Sequence, residues 1–100
     1  MGLSELRRLL LNQTLFWNGA EVPYLRSTLR RGEQVELGGK LVTIDSTLFI
    51  QLKDMPPDYT VPATGRLITV DDIEYRIASV RLVAPKSHYE ISITDKHNSA

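Results

Sequence analysis

Cysteine is missing from this sequence, which excludes a disulfide framework and a metal site with thiolate ligands. Histidine is scarce, because only His88 and His97 occur. Two histidines do not supply the several converging ligands that a metal ion needs. We therefore expect no metal site.

Long apolar runs are missing as well. No stretch approaches the roughly 20 residues that cross a bilayer, and the first residues lack the basic-then-apolar order and the cleavage site of a secretory signal. We expect no membrane contact and synthesis in a cytoplasm. The 100 residues have an ordinary globular composition, 42% hydrophobic and 24% charged, which predicts one domain spanning residues 1–100.

Motifs of catalysis are also missing. The sequence has no Gly-x-Ser-x-Gly element, no phosphate-binding loop and no paired glycines of a dinucleotide site. Asp71 and Asp72 are adjacent carboxylates, but a turn explains them better than an acid/base pair. The sequence therefore predicts a protein that is not an enzyme and that uses no cofactor.

The charges balance overall but are unevenly placed. The chain has 12 basic and 12 acidic residues, of which residues 1–44 carry six basic and four acidic ones and residues 45–74 carry two basic and six acidic ones. Such a split suits complementary faces that pack copies of one chain together. It is equally typical of a mixed solvated surface.

The clearest strand pattern lies in the last third of the chain. Apolar and polar residues alternate on both sides of Asp71-Asp72. This predicts a hairpin with a two-residue turn that pairs Val70 with Ile73 and Ile68 with Tyr75, all on one face.

Two further features are predicted after that hairpin. Past Ile77 the apolar residues change parity, as a one-residue β-bulge requires; they are Ala78, Val80 and Leu82. The segment 85–88 then turns the chain into a last alternating strand, whose apolar positions are Tyr89, Ile91 and Ile93.

Two more hairpins are predicted upstream. Asn18-Gly19 supplies the positive φ angles of a type I′ turn, and Pro23 then ends its strand or places it at an edge. Gly38-Gly39 begins a long strand from Lys40 to Lys53, bent near residues 45–47 where it turns a barrel corner. One buried wall is expected from Val35, Leu37, Val42, Ile44, Leu48, Ile50 and Leu52.

Together these patterns predict a mainly β fold. We expect a small antiparallel β-barrel or sandwich of about six to seven strands, built from residues 14–53 and 66–95. Ser4 can cap a short helix over residues 4–11, with Leu3, Leu6 and Leu10 on one stripe. That helix either covers an open end of its own barrel or docks on a partner.

Two connections are candidates for interaction. Residues 27–32 form a predicted loop associated with Arg26, Arg30 and Arg31. Residues 54–65 form the one long stretch without a strand pattern, and its prolines keep it out of any ladder. A loop of this length in a small domain is functional or mobile. Its candidate interaction residues are Asp54, Met55, Pro56, Pro57, Asp58, Tyr59 and Pro62.

Three segments in this order resemble the small head–tail joining (attachment, or head-completion) proteins of lambdoid tailed phages and prophages. They are the run Arg30–Leu37, the strand through Thr47–Leu52 with its proline-containing loop, and the hairpin Gly65–Arg81. The likeness covers about residues 20 to 95, with Asp72 standing where such hairpins often carry glycine.

This resemblance implies a structural protein of the virion neck, made in the bacterial host cytoplasm. It implies a β-barrel connector that assembles as a ring, expected to be a hexamer, between the portal or its adaptor and the tail. Such a ring retains packaged DNA, which passes through its channel, and docks the tail. The loop 54–65 is then expected to face the channel or a neighbouring subunit, and Arg26, Arg30 and Arg31 to contact other subunits or the portal.

Two alternative functions remain open. A small barrel can bind single-stranded nucleic acid through aromatic and basic side chains, although a pI near 6.7 gives little electrostatic attraction. The aromatic candidates are Phe16, Trp17, Tyr24 and Phe49. Trp17 shares a hairpin face with Leu15 and Val22, which favours a core position. The other alternative is a different phage tail component, such as a tail-completion subunit.

Overall fold

The computed structural model of the chain describes residues 13–83 and 87–98. These residues form nine strands and one short 3-10 helix, Leu52–Asp54. The strands are β1 (Thr14–Trp17), β2 (Ala20–Pro23), β3 (Leu25–Ser27), β4 (Gln34–Leu37), β5 (Lys40–Thr43), β6 (Ser46–Gln51), β7 (Leu67–Val70), β8 (Ile73–Val83) and β9 (His88–Asp95). The predicted mainly β fold is confirmed, with more strands than expected. The predicted helix over residues 4–11 lies outside the described residues.

The centre of the fold is an antiparallel five-stranded sheet in the order β3-β6-β9-β8-β7, curled into a half-barrel. The β1–β2 hairpin lies across the open side, with β1 beside β7 and β2 beside β6. Leu15 and Val22 of this hairpin are buried in the same core as the sheet residues. The hairpin therefore covers the inner face of the sheet without joining its hydrogen-bond ladder.

Three hairpins have the tight turns that the sequence predicts, one of them at Gly38-Gly39 with φ angles of 59° and 86°. Asn18 and Gly19 have φ angles of 53° and 80°, and Asp71 and Asp72 have φ angles of 52° and 63°. Two successive positive φ angles define a type I′ turn, whose twist matches that of the flanking strands. The turn at residues 71–72 sets the predicted β7–β8 register.

The main core lies between the curled sheet and the β1–β2 hairpin. Its largest fully buried side chains include Ile50, Ile77, Ile91 and Ile93. Complete burial of one such side chain contributes about 1.5–3 kcal/mol relative to leaving it in water. Trp17 packs against this core but is only half-buried, so its predicted core position is confirmed in part.

A second, smaller core lies under the β4–β5 hairpin. It consists of the buried residues Leu37, Val42, Ile44 and Ala78. Ala78 reaches it because β8 contains the predicted bulge: Ile77 pairs with Ile93 and Ser79 pairs with Ser92, so Ala78 has no cross-strand partner. The extra residue changes the face to which the strand directs its side chains.

The long strand predicted from Lys40 to Lys53 is wrong in one respect. It is interrupted at residues 44–45, close to the predicted bend, and its end forms the 3-10 helix. The two halves belong to different sheets, because β5 pairs with β4 whereas β6 pairs with β3 and β9. The expected single wall is therefore divided between two cores.

Three smaller expectations also need correction. Leu25–Ser27 forms strand β3, so the predicted loop begins after Ser27. Ile73 pairs with Val70 as predicted but is exposed, because it lies at the turn beyond the edge of the core. His88 opens β9 instead of lying in the turn, whose residues 84–86 are outside the described part of the chain.

Candidate functional site

Arg26 is the centre of a polar network that ties the two edges of the half-barrel together. Its Nη2 donates to Asp45 Oδ2 at 2.9 Å and to the Tyr75 hydroxyl at 2.9 Å. Its Nη1 donates to Asp71 Oδ2 at 3.2 Å, and its Nε donates to Ser46 Oγ at 2.9 Å. Arg26 lies on the edge strand β3 and Asp71 in the β7–β8 turn, so the network links both ends of the sheet.

The electrostatics of this network favour a charged Arg26. Desolvation acts to lower the pKa of Arg26, but the hydrogen bonds to Tyr75 and Asp45 outweigh it, and the net direction is upward. The guanidinium also lies over the Tyr75 ring, 5.2 Å from its centroid. Arg26 is therefore bonded to residues of its own chain, which accounts for its half-buried position.

Tyr24 completes the network from inside the core. Its hydroxyl donates to Asp71 Oδ1 at 3.1 Å. Burial, together with this hydrogen bond to a carboxylate, raises the pKa of Tyr24 to about 12. Asp71 accepts from both Tyr24 and Arg26, so this aspartate takes part in the network as well as in the turn.

The loop 54–65 contains no strand, as predicted, and contacts the body of the protein at several points. Met55 is buried in the main core. The Tyr59 hydroxyl lies 2.9 Å from that of Tyr89, and the Trp17 indole donates to the Thr60 carbonyl oxygen at 2.8 Å. Burial, together with the hydrogen bond to Tyr59, raises the pKa of Tyr89 to about 12.

The other predicted loop residues have different positions. Pro57 and Asp58 are exposed in a turn, where Asp58 has a φ of 57°. Asp54 and Pro56 are half-buried, and Pro62 is buried. The predicted interaction set is thus divided between core contacts and an exposed turn.

A groove runs along the seam where β1 lies beside β7 without pairing. We call it the seam groove; its volume is about 760 Å³. Its walls carry Phe16, Val61 and Leu67, whose exposed fractions are 71%, 61% and 49%. The end of the loop contributes residues 60–63. Three large apolar side chains therefore line one concave surface and remain in water.

The seam groove has charges of opposite sign along its length. Arg66 lies just before β7 and Asp71 and Asp72 just after it, and all three line the groove. Asp71 is held by Arg26, whereas Asp72 is exposed and has no ion pair within residues 13–83 and 87–98. The groove thus has one acidic end.

A second exposed feature is the turn at residues 29–32, which we call the basic turn. Leu29 at its start is 96% exposed. Arg30 pairs with Glu33, and Arg31 Nε donates to the Asp45 carbonyl oxygen at 2.9 Å. Of the three arginines that the sequence singles out, Arg30 and Arg31 thus lie together on an exposed turn, and Arg31 shares the partner Asp45 with the internally bonded Arg26.

The apolar residues of these two surfaces were not singled out as interaction candidates by the sequence, apart from Phe16 in the nucleic-acid alternative. Leu67 and Phe16 occupy outward positions of alternating strands, next to the buried Ile68 and Leu15. The sequence alone could have shown that both apolar residues point outward. It could not have shown that they converge, because their convergence depends on β1 lying beside β7.

The aromatic residues considered for nucleic-acid binding converge only in part, because Phe16 and Trp17 both line the seam groove. Tyr24 is fully buried, Phe16 lies in the seam groove, and the Phe49 ring lies 6.0 Å from the His88 ring on the β6–β9 pair. Two of the four aromatic candidates thus share one surface, whereas Tyr24 and Phe49 lie elsewhere.

Comparison with models of protein families, with curated proteins and with solved structures finds no match to this chain. Within the described ranges, no group of three or more acidic or histidine side chains is placed to hold a metal ion. The same part of the chain contains no helix with the length and apolarity needed to span a membrane.

Proposed function

We propose that this protein is a head–tail connector of a tailed phage or prophage. In this role it forms a ring in the virion neck, between the portal or its adaptor and the tail, retains the packaged DNA and docks the tail. The proposal begins from the sequence resemblance of the three segments described above.

The observation that carries the proposal is the exposed apolar surface of the seam groove. Contiguous exposed apolar side chains on a small soluble domain are typical of protein–protein contact sites. Here Phe16, Val61 and Leu67 stay in water although the neighbouring positions Leu15 and Ile68 are buried. A protein that works by docking to other proteins has a use for such a surface.

The positions of the three resembling segments support the same function. The first contains part of the basic turn, the second supplies the loop wall of the seam groove, and the third supplies its β7 wall. The parts of these segments that reach the two surfaces are a turn, a loop and an edge strand held by a packed core, and loops on such a scaffold commonly carry binding residues.

The test is virion assembly with variants of the groove wall. We expect Val61→Asp and Leu67→Asp to leave the protein folded, because both side chains are exposed, and to prevent the joining of filled heads to tails. Leu41→Asp is the matched control, since Leu41 is 69% exposed on β5 and does not line the groove. A phage or induced prophage lacking this gene is supplied with each variant, and the lysate is examined by electron microscopy and plaque counts.

The outcomes separate the possible functions. Filled heads without tails in the groove variants, and normal virions with Leu41→Asp, are expected. Normal virions with all three variants contradict the proposal. Heads joined to incomplete tails would instead indicate a tail-completion subunit. Tight binding of single-stranded DNA that weakens steeply with added salt would indicate the nucleic-acid alternative.

Exchanging the whole loop 54–65 is a less specific test. Met55 and Tyr59 pack against the main core, so their removal would also lower stability. The point variants of the groove wall avoid that effect.

A further inference from the structure

We propose that the basic turn of one copy docks in the seam groove of the next copy, so that Leu29 inserts among Phe16, Val61 and Leu67 while Arg31 faces Asp72. This head-to-tail contact specifies the interface of the proposed ring, and to that extent it rests on the proposed function.

The basic turn is built to present Leu29. The Arg31 amide donates to the Thr28 carbonyl oxygen at 3.0 Å, and the Gly32 amide donates to the Ile44 carbonyl oxygen at 3.0 Å. The Leu29 amide donates to Ser27 Oγ at 3.2 Å. These bonds fix the backbone on both sides of a leucine that is 96% exposed. A loop whose backbone is already fixed loses less conformational entropy on binding than a mobile loop.

The seam groove is complementary to this turn in shape and polarity. Its walls are apolar where a leucine side chain would enter, and its volume of about 760 Å³ is ample for that side chain. Burying Leu29 against Phe16 and Leu67 would remove all three apolar side chains from water, which is the main driving force of protein association.

The charges of the basic turn and the seam groove favour one orientation of the turn in the groove. Arg31 is exposed beside Leu29 and, within the described residues, pairs with no carboxylate. Asp72 is exposed at the acidic end of the groove and is likewise without an ion pair there. Arg66 at the opposite end repels a reversed arrangement. Complementary charges of this kind set the orientation and register of an interface.

The two surfaces share no residue, so one copy can use both at once. None of the residues 29–32 lines the seam groove. Contacts between two different surfaces of one chain are heterologous, and they produce a closed ring when the rotation between copies closes. A second copy is therefore an occupant that explains the turn and the groove together.

Disulfide trapping tests the contact directly, because the chain has no cysteine of its own. Purified Leu29→Cys and Leu67→Cys variants are mixed and oxidised over a range of concentrations. We expect disulfide-linked heterodimers, and closed oligomers from the chain that carries both substitutions. Leu41→Cys mixed with Leu67→Cys is the matched control, and it should give only the small amount of product that random collision produces, because Leu41 is exposed but lies outside both surfaces. Absence of the heterodimer, or equal trapping in the control, overturns the interface.

Exchanging the two charges provides a second test of the contact. Asp72→Arg should reduce trapping about tenfold by placing like charges together, and Arg31→Asp in the partner variant should restore it. Failure of the restoration contradicts the proposed pairing. Urea unfolding of each variant checks that the fold is retained.

These experiments use purified protein alone, so their result is separate from that of virion assembly. If the disulfide forms but the groove variants still assemble normal virions, the interface is supported and the neck function is rejected. Impaired assembly without trapping would keep the neck function and reject this interface.

Discussion

Removing the guanidinium of Arg26 is expected to destabilise the half-barrel. The substitution Arg26→Ala deletes hydrogen bonds to Asp45, Asp71, Tyr75 and Ser46 in one step. These partners come from the β5–β6 connection, the first residue of β6, the β7–β8 turn and β8, whereas Arg26 itself lies on β3. Within the described residues, this network is a polar link between the two edges of the five-stranded sheet.

The expected loss of stability follows from the burial of the partners. The Arg26 side chain is 21% exposed, whereas the side chains of Asp45 and Asp71 are 36% and 51% exposed. Loss of a fully buried ion-pair partner costs about 3–5 kcal/mol, but these carboxylates can recover contact with water. We therefore expect a loss of about 2–3 kcal/mol, or a fall in Tm of roughly 10–20 °C for a domain of this size.

The stability of Arg26→Lys should lie between that of Arg26→Ala and that of the unmodified protein. Lysine keeps the charge but lacks the planar fork that reaches several acceptors at once. Arg81→Ala is the control, because the Arg81–Glu90 pair joins a side chain that is 71% exposed and should contribute about 0–1 kcal/mol.

The assay is urea unfolding followed by Trp17 fluorescence. Trp17 is half-buried and bonded to the loop, so its emission should report the loss of the fold. The midpoint for Arg26→Ala should fall by about 1–2 M with an unchanged slope. A midpoint no lower than that of Arg81→Ala would refute the structural role assigned to the network.

Three other predictions concern single sites. Asp72→Gly should stabilise the protein by about 0.5 kcal/mol in thermal unfolding, because glycine adopts the φ of 63° without strain; destabilisation would contradict this. Tyr24 and Tyr89, with pKa values of about 12, should ionise late in a tyrosinate absorbance titration, and the stability that they contribute, complete below the ordinary pKa of 10.0, should be lost as the pH rises toward 12; two normal titrations would contradict the burial. Met55→Ala should cost about 2–3 kcal/mol in urea unfolding and Pro57→Ala under about 0.5 kcal/mol, because one is buried and the other exposed; equal effects would place the whole loop outside the core.

The hairpins and the bulge were predictable from sequence because their signals are local. Asn18-Gly19 and Asp71-Asp72 set their turns within a few residues, and the register of each hairpin follows from the turn. The bulge near Ala78 appears directly as a change in apolar parity. Local backbone chemistry therefore decides these features, and distant contacts are not needed to predict them.

The division into two cores was not predictable in the same way. Val42, Ile44, Leu48 and Ile50 keep one parity throughout, so the pattern indicates a single face. The break at residues 44–45 becomes visible only when β5 pairs with β4 and β6 pairs with β3 and β9. Partner choice between distant strands decides it, and alternation within one strand does not record that choice.

The candidate site was predicted in part for a similar reason. Charge and loop length drew attention to the arginines and to residues 54–65. The internal role of Arg26 depends on β3 being a strand, and a strand of three residues leaves almost no periodic signal. The seam groove combines Phe16, Val61 and Leu67, which are far apart in sequence and meet only in the folded chain.

The small core beneath β4 and β5 gives that hairpin a degree of independence. It is attached through its own four buried residues, three from the hairpin and its exit and one from the β8 bulge. The hairpin pairs with no strand of the five-stranded sheet. Its tip can accordingly tolerate lengthening, shortening or a grafted sequence at Gly38-Gly39 while the large core stays intact, which makes it the natural place for a fused label.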